Sequence, residues 1–223
     1  MNSVSLSNPN LFSILNEITQ KACYGYHQEC YTTEWQRLSG CGPSAATNIL
    51  SYLTRTRSIL ELEQSFNDKK NCVQIMEEVW EYVTPTTEGI PNTKMFYEDV
   101  LSYTNSKGLN VEYDLCDMPE DKANRPKLNK LINFLEGALL KDAPIAFLNL
   151  CNGGVKNLDP WHWVTIISLE YSEDGNNVFV NILDEGEIKK IDFKLWYNTT
   201  ILGGGFVYFT IFSGKDAGFQ NGG

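Results

Sequence analysis

The sequence is poor in histidine, in basic residues and in long apolar runs. Only two histidines, His27 and His162, stand among 223 residues, so chemistry that needs an imidazole has two places to find it. Lys and Arg number 18 against 28 Asp and Glu, a formal charge of −10. A field of that sign repels phosphate backbones and anionic membranes, which argues against a nucleic-acid partner. The one local concentration of arginine, Arg55 with Arg57, is too small for an electrostatic footprint. No apolar stretch approaches the ~20 residues that cross a bilayer, so no membrane partner is expected. The opening residues Met1 to Pro9 lack a basic start followed by an apolar core and are not expected to act as a secretory signal. No Cys-x-x-Cys pair occurs among the six cysteines, and a chain of this size needs no disulfide staples. A reducing cytoplasm is the expected compartment. Gly203-Gly204-Gly205 has no following Lys-Ser/Thr pair, so it reads as a flexible turn and not as a phosphate loop.

What is present suits a globular domain. Hydrophobic residues make up 42% and charged residues 21%, enough to bury a sizeable core. No linker interrupts the chain, and residues 1–223 are expected to form one domain. Leu11, Phe12, Ile14, Leu15 and Ile18 recur at helical spacing, which predicts a helix from Leu11 to about Ala22 capped by Asn10. Cys23 to Gly40 has no clear period and predicts a loop. From Pro43, a residue suited to a first helical turn, Ala45, Ala46, Ile49, Leu50 and Leu53 mark another helix. Further helices are predicted at Val73 to Val83 capped by Asn71, at Thr93 to Lys107 stopped by Gly108, and at about Pro126 to Lys141. After residue 142 the runs Ile145–Leu150, Trp161–Leu169, Val178–Leu183, Ile188–Phe193 and Phe206–Phe212 are rich in β-branched and aromatic residues. The expected class is α+β, with a helical part at about 10–141 and a mostly antiparallel sheet at about 142–213.

Chemistry concentrates at three positions. A cysteine becomes nucleophilic when its thiolate is stabilised, and a helix amino terminus supplies partial positive charge and free N–H groups. Cys41 alone among the six has that setting; the others read as small buried hydrophobes. His162 opens a strand in Asp159-Pro160-Trp161-His162-Trp163-Val164, between two tryptophans able to shield it. The next strand ends at Asp184. A hairpin centred near Glu173 puts that carboxylate directly across from His162, where it could fix the tautomer and stabilise imidazolium. A slip of one residue would bring Asn181 into the role instead, and Asp159 is a third candidate. Cys23, His27 and Cys30 lie near one another but lack a fourth ligand and familiar spacing, so no metal is expected.

The segment Gln36-Arg37-Leu38-Ser39-Gly40-Cys41-Gly42-Pro43-Ser44-Ala45-Ala46 resembles the nucleophile segment of papain-like cysteine peptidases. Among them it is similar to the branch of double-glycine leader peptidases and their bacterial relatives. In that branch a Cys-Gly-Pro helix start is followed by a His-Trp-Val strand and then by an aspartate on the next strand. The resemblance implies a papain-like fold with Cys41 as nucleophile, His162 as base and Asp184 as orienting acid. It also implies Gln36 as the side chain completing an oxyanion hole with the Cys41 N–H. Trp161, Trp163 and Gly40 are then expected to contact substrate, a peptide or small amide, and no cofactor is called for. Gln36 lies one residue nearer the cysteine than the family's glutamine, whose place is taken by Trp35, and residues 57 to 140 match no known pattern. The same triad would serve a peptidase, an amidase, a deamidase or an acyltransferase, and an incomplete one would leave a non-catalytic peptide-binding module.

Overall fold

Val, Ile, Phe and Tyr fill the runs after residue 142, and such side chains pack well on a pleated surface. In the computed structural model, which describes residues 1–16, 21–57 and 69–212, these runs form five neighbouring strands of one antiparallel sheet. The strands are β1 (Asn2–Ser5), β2 (Ser13–Asn16), β3 (Lys21–Tyr24), β4 (Asn110–Met118), β5 (Ile145–Asn149), β6 (His162–Tyr171), β7 (Val178–Asp184), β8 (Glu187–Asp192) and β9 (Gly204–Phe212). The main sheet has the order β4-β9-β5-β6-β7-β8, and β1 also pairs with β6. β5 takes His162 to Ile166 of β6 and β1 takes Ser168 to Tyr171, so the two short strands share one edge of the long one. The helices are α1 (Glu34–Ser39), α2 (Cys41–Thr56), α3 (Lys69–Trp80), α4 (Thr93–Ser106), α5 (Leu128–Leu140) and α6 (Phe193–Thr199). The architecture is α+β.

Helix α2 is the inner element. From Gly42 through Thr54 every residue is buried, polar ones included, and the helix lies against β6. Two of its threonine hydroxyls are satisfied within the helix: Thr47 Oγ1 donates to the Pro43 carbonyl at 2.8 Å and Thr54 Oγ1 to that of Leu50 at 2.8 Å. Asn48 Oδ1 accepts from the Tyr26 N–H at 2.7 Å while its Nδ2 donates to the Tyr26 carbonyl at 3.1 Å. That two-point clasp fixes the segment after β3 against the helix.

Several expectations are overturned. No helix spans Leu11 to Ala22; a 3₁₀ turn at Pro9–Phe12 leads into β2, which pairs with β3, and residues 17–20 lie outside the described ones. Tertiary contacts outweigh propensity here. Phe12 stacks on Tyr52 of α2 with ring centroids 5.1 Å apart, and Arg55 Nη1 donates to the Leu11 carbonyl at 2.6 Å. The predicted loop before Cys41 holds α1, whose signal was Thr33 with Gln36 three residues on, a capping box. Asn71 lies inside α3 and does not cap it. Strands β1 to β4 all arise before residue 142, so the helical and sheet parts are not segregated along the chain. Gly203-Gly204-Gly205 is a tightly packed entry to β9: an added Cβ would meet the Met118 carbonyl oxygen at 1.9 Å from Gly203 and that of Leu148 at 1.9 Å from Gly204.

The register of β6 on β7 carries the most consequence. Pairing runs from Tyr171↔Val178 to Ser168↔Asn181, then shifts at a bulge so that Ile166↔Ile182 and Thr165↔Leu183 follow. Opposed residues share a face and the side-chain period is two, so one extra residue at Ile167 reverses which side of β7 faces His162. One further step of this register sets Asp184 against Val164, on the face of His162 and diagonal to it, not directly across as the hairpin alone predicts. Without the bulge Asp184 would oppose Thr165 and point away.

The loop that delivers His162 is tied at its root. Asn149, fully buried at the end of β5, donates Nδ2 to the Asp159 carbonyl at 2.6 Å and accepts from Trp196 Nε1 of α6 at 2.7 Å. Replacing it leaves buried polar groups short of partners, a loss of about 1–3 kcal/mol. Asn149→Ala should therefore lower the denaturant midpoint by a corresponding amount; a midpoint unchanged from wild type would contradict the anchoring role.

Candidate active site

The start of α2 is shaped by two glycines. A Cβ on Gly40 would lie 2.4 Å from the Gln36 carbonyl oxygen and 2.7 Å from the Tyr31 ring, and one on Gly42 would lie 2.7 Å from Ile90 Cδ1. At Gly40 the chain therefore passes only without a side chain, and at Gly42 a side chain would have to displace the end of Ile90; Cys41 between them is the first residue of the helix and half-buried. The first N–H groups of any helix lack intrahelical partners and point at what sits there. Gly40 is buried beneath Tyr31 and lines neither cavity described below, so its place is packing.

His162 opens β6, and its Nε2 lies 2.7 Å from Oδ1 of Asp184, the last residue of β7. The other carboxylate oxygen of Asp184 accepts from Lys189 Nζ at 2.8 Å, and Lys189 also pairs with Glu185 at 2.5 Å. The Asp184 side chain is only 3% exposed, so its charge is held by these two partners and little by water. With Nε2 engaged by Asp184, Nδ1 is the other ring nitrogen, and the ring and the Cys41 thiol border the same cavity.

The titration behaviour follows from this arrangement. Burial pushes the Cys41 thiol up, but the hydrogen bond and charge of His162, with the backbone N–H groups of Trp163 and Gly42, outweigh it and hold the thiol below its ordinary value. Burial works against a charged His162, yet Asp184 and Cys41 push its pKa up to about 10. Asp184 is raised by burial and lowered more strongly by His162 and Lys189, ending below the usual carboxylate range. The combination favours a thiolate–imidazolium pair at neutral pH.

Two cavities meet at Cys41. A polar one of about 260 Å³ is lined by His162, Asp184, Gln28, Glu29 and Asp159 among others. An apolar one of about 520 Å³ is lined by Trp35, Ile90, Leu148 and Leu150 among others. Cys41, Leu38, Trp161 and Trp163 border both. The tryptophans beside His162 divide their roles: Trp163 is buried, stacked on Phe96 at 4.2 Å and donating Nε1 to the Ile90 carbonyl at 2.8 Å, whereas Trp161 is 61% exposed. Trp161 has φ +55, a left-handed conformation that costs an L residue about 1–2 kcal/mol.

Some of the expected residues lie elsewhere. The Gln36 side chain turns back to its own cap, Oε1 accepting from Thr33 Oγ1 at 2.9 Å, and lines neither cavity. Gln28 was not anticipated; it lines the polar cavity and its Oε1 is buried with no hydrogen-bond partner among the described residues. The Asn48 clasp on Tyr26 fixes the segment that leads into Gln28, and nothing in the local sequence signals that clasp. Asn181 pairs with Ser168, Nδ2 to Oγ 2.8 Å, and Asp159 is exposed. Cys30 Sγ lies 3.3 Å from His27 Nε2, while Cys23 Sγ donates to the Ile14 carbonyl at 3.5 Å. Among the described residues no three His, Cys, Asp or Glu side chains gather as a metal set, and no helix is long and apolar enough to cross a membrane.

A pH dependence follows with a definite sign. Because His162 is raised, its contribution to stability is complete below about pH 6.5 and is lost as pH rises through about 10. Asp184, being lowered, contributes above about pH 4 and loses that contribution as pH falls through its depressed value. A magnetic-resonance titration of the His162 ring should show a midpoint near 10 in the wild type. In Asp184→Asn the midpoint should fall by about a unit or more. An unchanged midpoint would contradict the electrostatic link between the two residues.

No family model and no curated protein matches the chain. Among solved structures, UfSP from C. elegans is similar to it over 94% of this chain and 34% of that one, at 8% identity and a TM-score of 0.44. The chain thus spans about a third of the length of that structure, and a likeness so distant bears on neither activity nor site.

Proposed function

We propose that the protein is a thiol hydrolase of papain-like design, a cysteine peptidase or related amide or thioester hydrolase working through Cys41, His162 and Asp184. One observation carries the reading: a histidine with one ring nitrogen held by a buried carboxylate at 2.7 Å borders the same cavity as a thiol at the start of a buried helix, and its charge helps hold that thiol below its ordinary pKa. Nucleophilic catalysis by cysteine needs that combination of activated thiolate, proton carrier and orienting group.

In this mechanism the Cys41 thiolate attacks the substrate carbonyl carbon, a C–S bond forms and the carbonyl π pair becomes an oxyanion. As the oxyanion collapses, the bond to the leaving amine or thiol breaks and that group takes the proton from the His162 imidazolium. An acyl-thioenzyme and neutral His162 remain. His162 then removes a proton from water, the resulting hydroxide adds to the thioester carbon, and collapse releases the acid and restores the thiolate. Asp184 keeps the ring oriented and stabilises its charged form, and Lys189 limits the freedom of Asp184. The oxyanion donors are the Cys41 backbone N–H and the side-chain amide of Gln28, whose terminal group needs only to rotate to present its N–H₂ to the cavity.

A second reading, a peptide-binding module without turnover, draws on Gln36, the resemblance-based donor, being committed to the cap of α1. The two separate experimentally. The hydrolase reading expects iodoacetamide at about pH 6 to label Cys41 promptly and ahead of the other thiols, an advantage lost in His162→Ala. Slow labelling shared evenly among the cysteines supports the module. Gln28→Ala should slow acylation by an activated thioester about 10²–10³-fold. Gln36→Ala should cost about 1 kcal/mol of stability and leave that rate alone. Loss of rate confined to Gln36→Ala would reverse the oxyanion assignment.

A further inference from the structure

We propose, on the reading that Cys41 is the nucleophile, that the apolar cavity beside it seats the acyl half of the substrate and selects a large apolar side chain there. The two cavities at Cys41 differ in what else they touch. His162 and Asp184 line only the polar one. A leaving amine must take its proton from His162, so it departs on that side. The acyl half is bonded to Sγ and needs no proton from the ring, and the space open to it is the cavity of about 520 Å³. That volume lies within the ~300–1,000 Å³ of ordinary small-molecule sites.

The lining is built for apolar contact. Ile90 and Leu148 are buried and Leu150 lies with them, while Glu88 is the one charged side chain on the lining. Around the mouth stand Trp35, 47% exposed, Leu38, 73% exposed, and Trp161, 61% exposed. Both exposed tryptophans among the described residues thus border one opening, although single exposed apolar residues are otherwise scattered over the surface. Apolar area left in water is recovered when an apolar group covers it, and aromatic side chains provide much of it per residue. Trp161 is also held in a left-handed backbone conformation at the junction of the two cavities, where strain is kept at a working position. A small or acidic acyl residue would leave these walls in water or set a carboxylate beside Glu88. A residue such as Leu or Phe would cover them.

The test uses covalent probes of Cys41 followed by intact mass. N-acyl-phenylalanyl, N-acyl-glycyl and N-acyl-aspartyl chloromethyl ketones are compared, with iodoacetamide as the measure of thiol reactivity alone. The phenylalanyl reagent should label Cys41 about tenfold or more faster than the glycyl one, and the aspartyl reagent should be slowest. In Leu38→Ser and in Trp161→Gly the ratio of phenylalanyl to glycyl rates should fall toward one. Prompt iodoacetamide labelling with equal rates for all three ketones, or a ratio untouched by both substitutions, overturns the apolar acyl site and leaves the hydrolase reading standing. Slow, unselective iodoacetamide labelling overturns the hydrolase reading and the acyl site with it.

Discussion

A carboxylate that is almost entirely removed from water must be given partners, and the surroundings of Asp184 follow from that need. Its two oxygens are taken by His162 and Lys189, one cation-forming ring and one ammonium, so the charge is compensated on both sides. An unpaired ion at this depth would cost several kcal/mol, and removing one partner would leave the carboxylate uncompensated. The pairing sets the tilt of the imidazole, and the imidazole in turn faces the thiol at the start of α2. The site is thus organised from the sheet outward, with the Cys41 sulfur at the end of a chain of residues that begins on β7.

Two pieces of backbone make that chain possible. The bulge at Ile167 reverses the facing of β7 relative to the first half of β6, which is what puts Asp184 and His162 on one side of the sheet. Gly40, before Cys41, lets the end of α2 approach Tyr31 and the Gln36 carbonyl more closely than any side chain would permit, and Gly42 leaves room for the end of Ile90. Neither device adds a titratable group. Both bring groups from distant parts of the sequence within reach of one another, and Asn149 and Asn48 fix the two intervening segments by bonding their backbones.

Much of this was legible in the residues. Helix α2 with Cys41 at its head follows from Pro43 and the apolar spacing behind it, and the five strands after residue 142 follow from their β-branched and aromatic runs. The nearness and shared face of His162 and Asp184 were reachable from hairpin reasoning, but the register that produces them was not, because a bulge leaves no mark in the pattern of Val, Ile and Leu that it interrupts. The segment from Leu11 to Ala22 misled because Leu, Phe and Ile at short spacings satisfy a helix and a hairpin alike, and the choice is made by Tyr52 and Arg55 far along the chain. Gln28 was invisible for a related reason: its place depends on Asn48 holding Tyr26, a contact between residues with no shared local signal. The place of Gln36 in the cap of α1 follows from its spacing from Thr33, which its position relative to Cys41 does not reveal.

The central claim is that Cys41 and His162 form a thiolate–imidazolium pair at neutral pH. It is tested most directly by following thiolate ultraviolet absorbance against pH in the wild type and in Cys41→Ser, and taking the difference. The account predicts a Cys41 step displaced well below the ordinary thiol midpoint of about 8.5, moving back toward that value in His162→Ala. A Cys41 step at the ordinary midpoint in the wild type, unmoved by loss of His162, would contradict it.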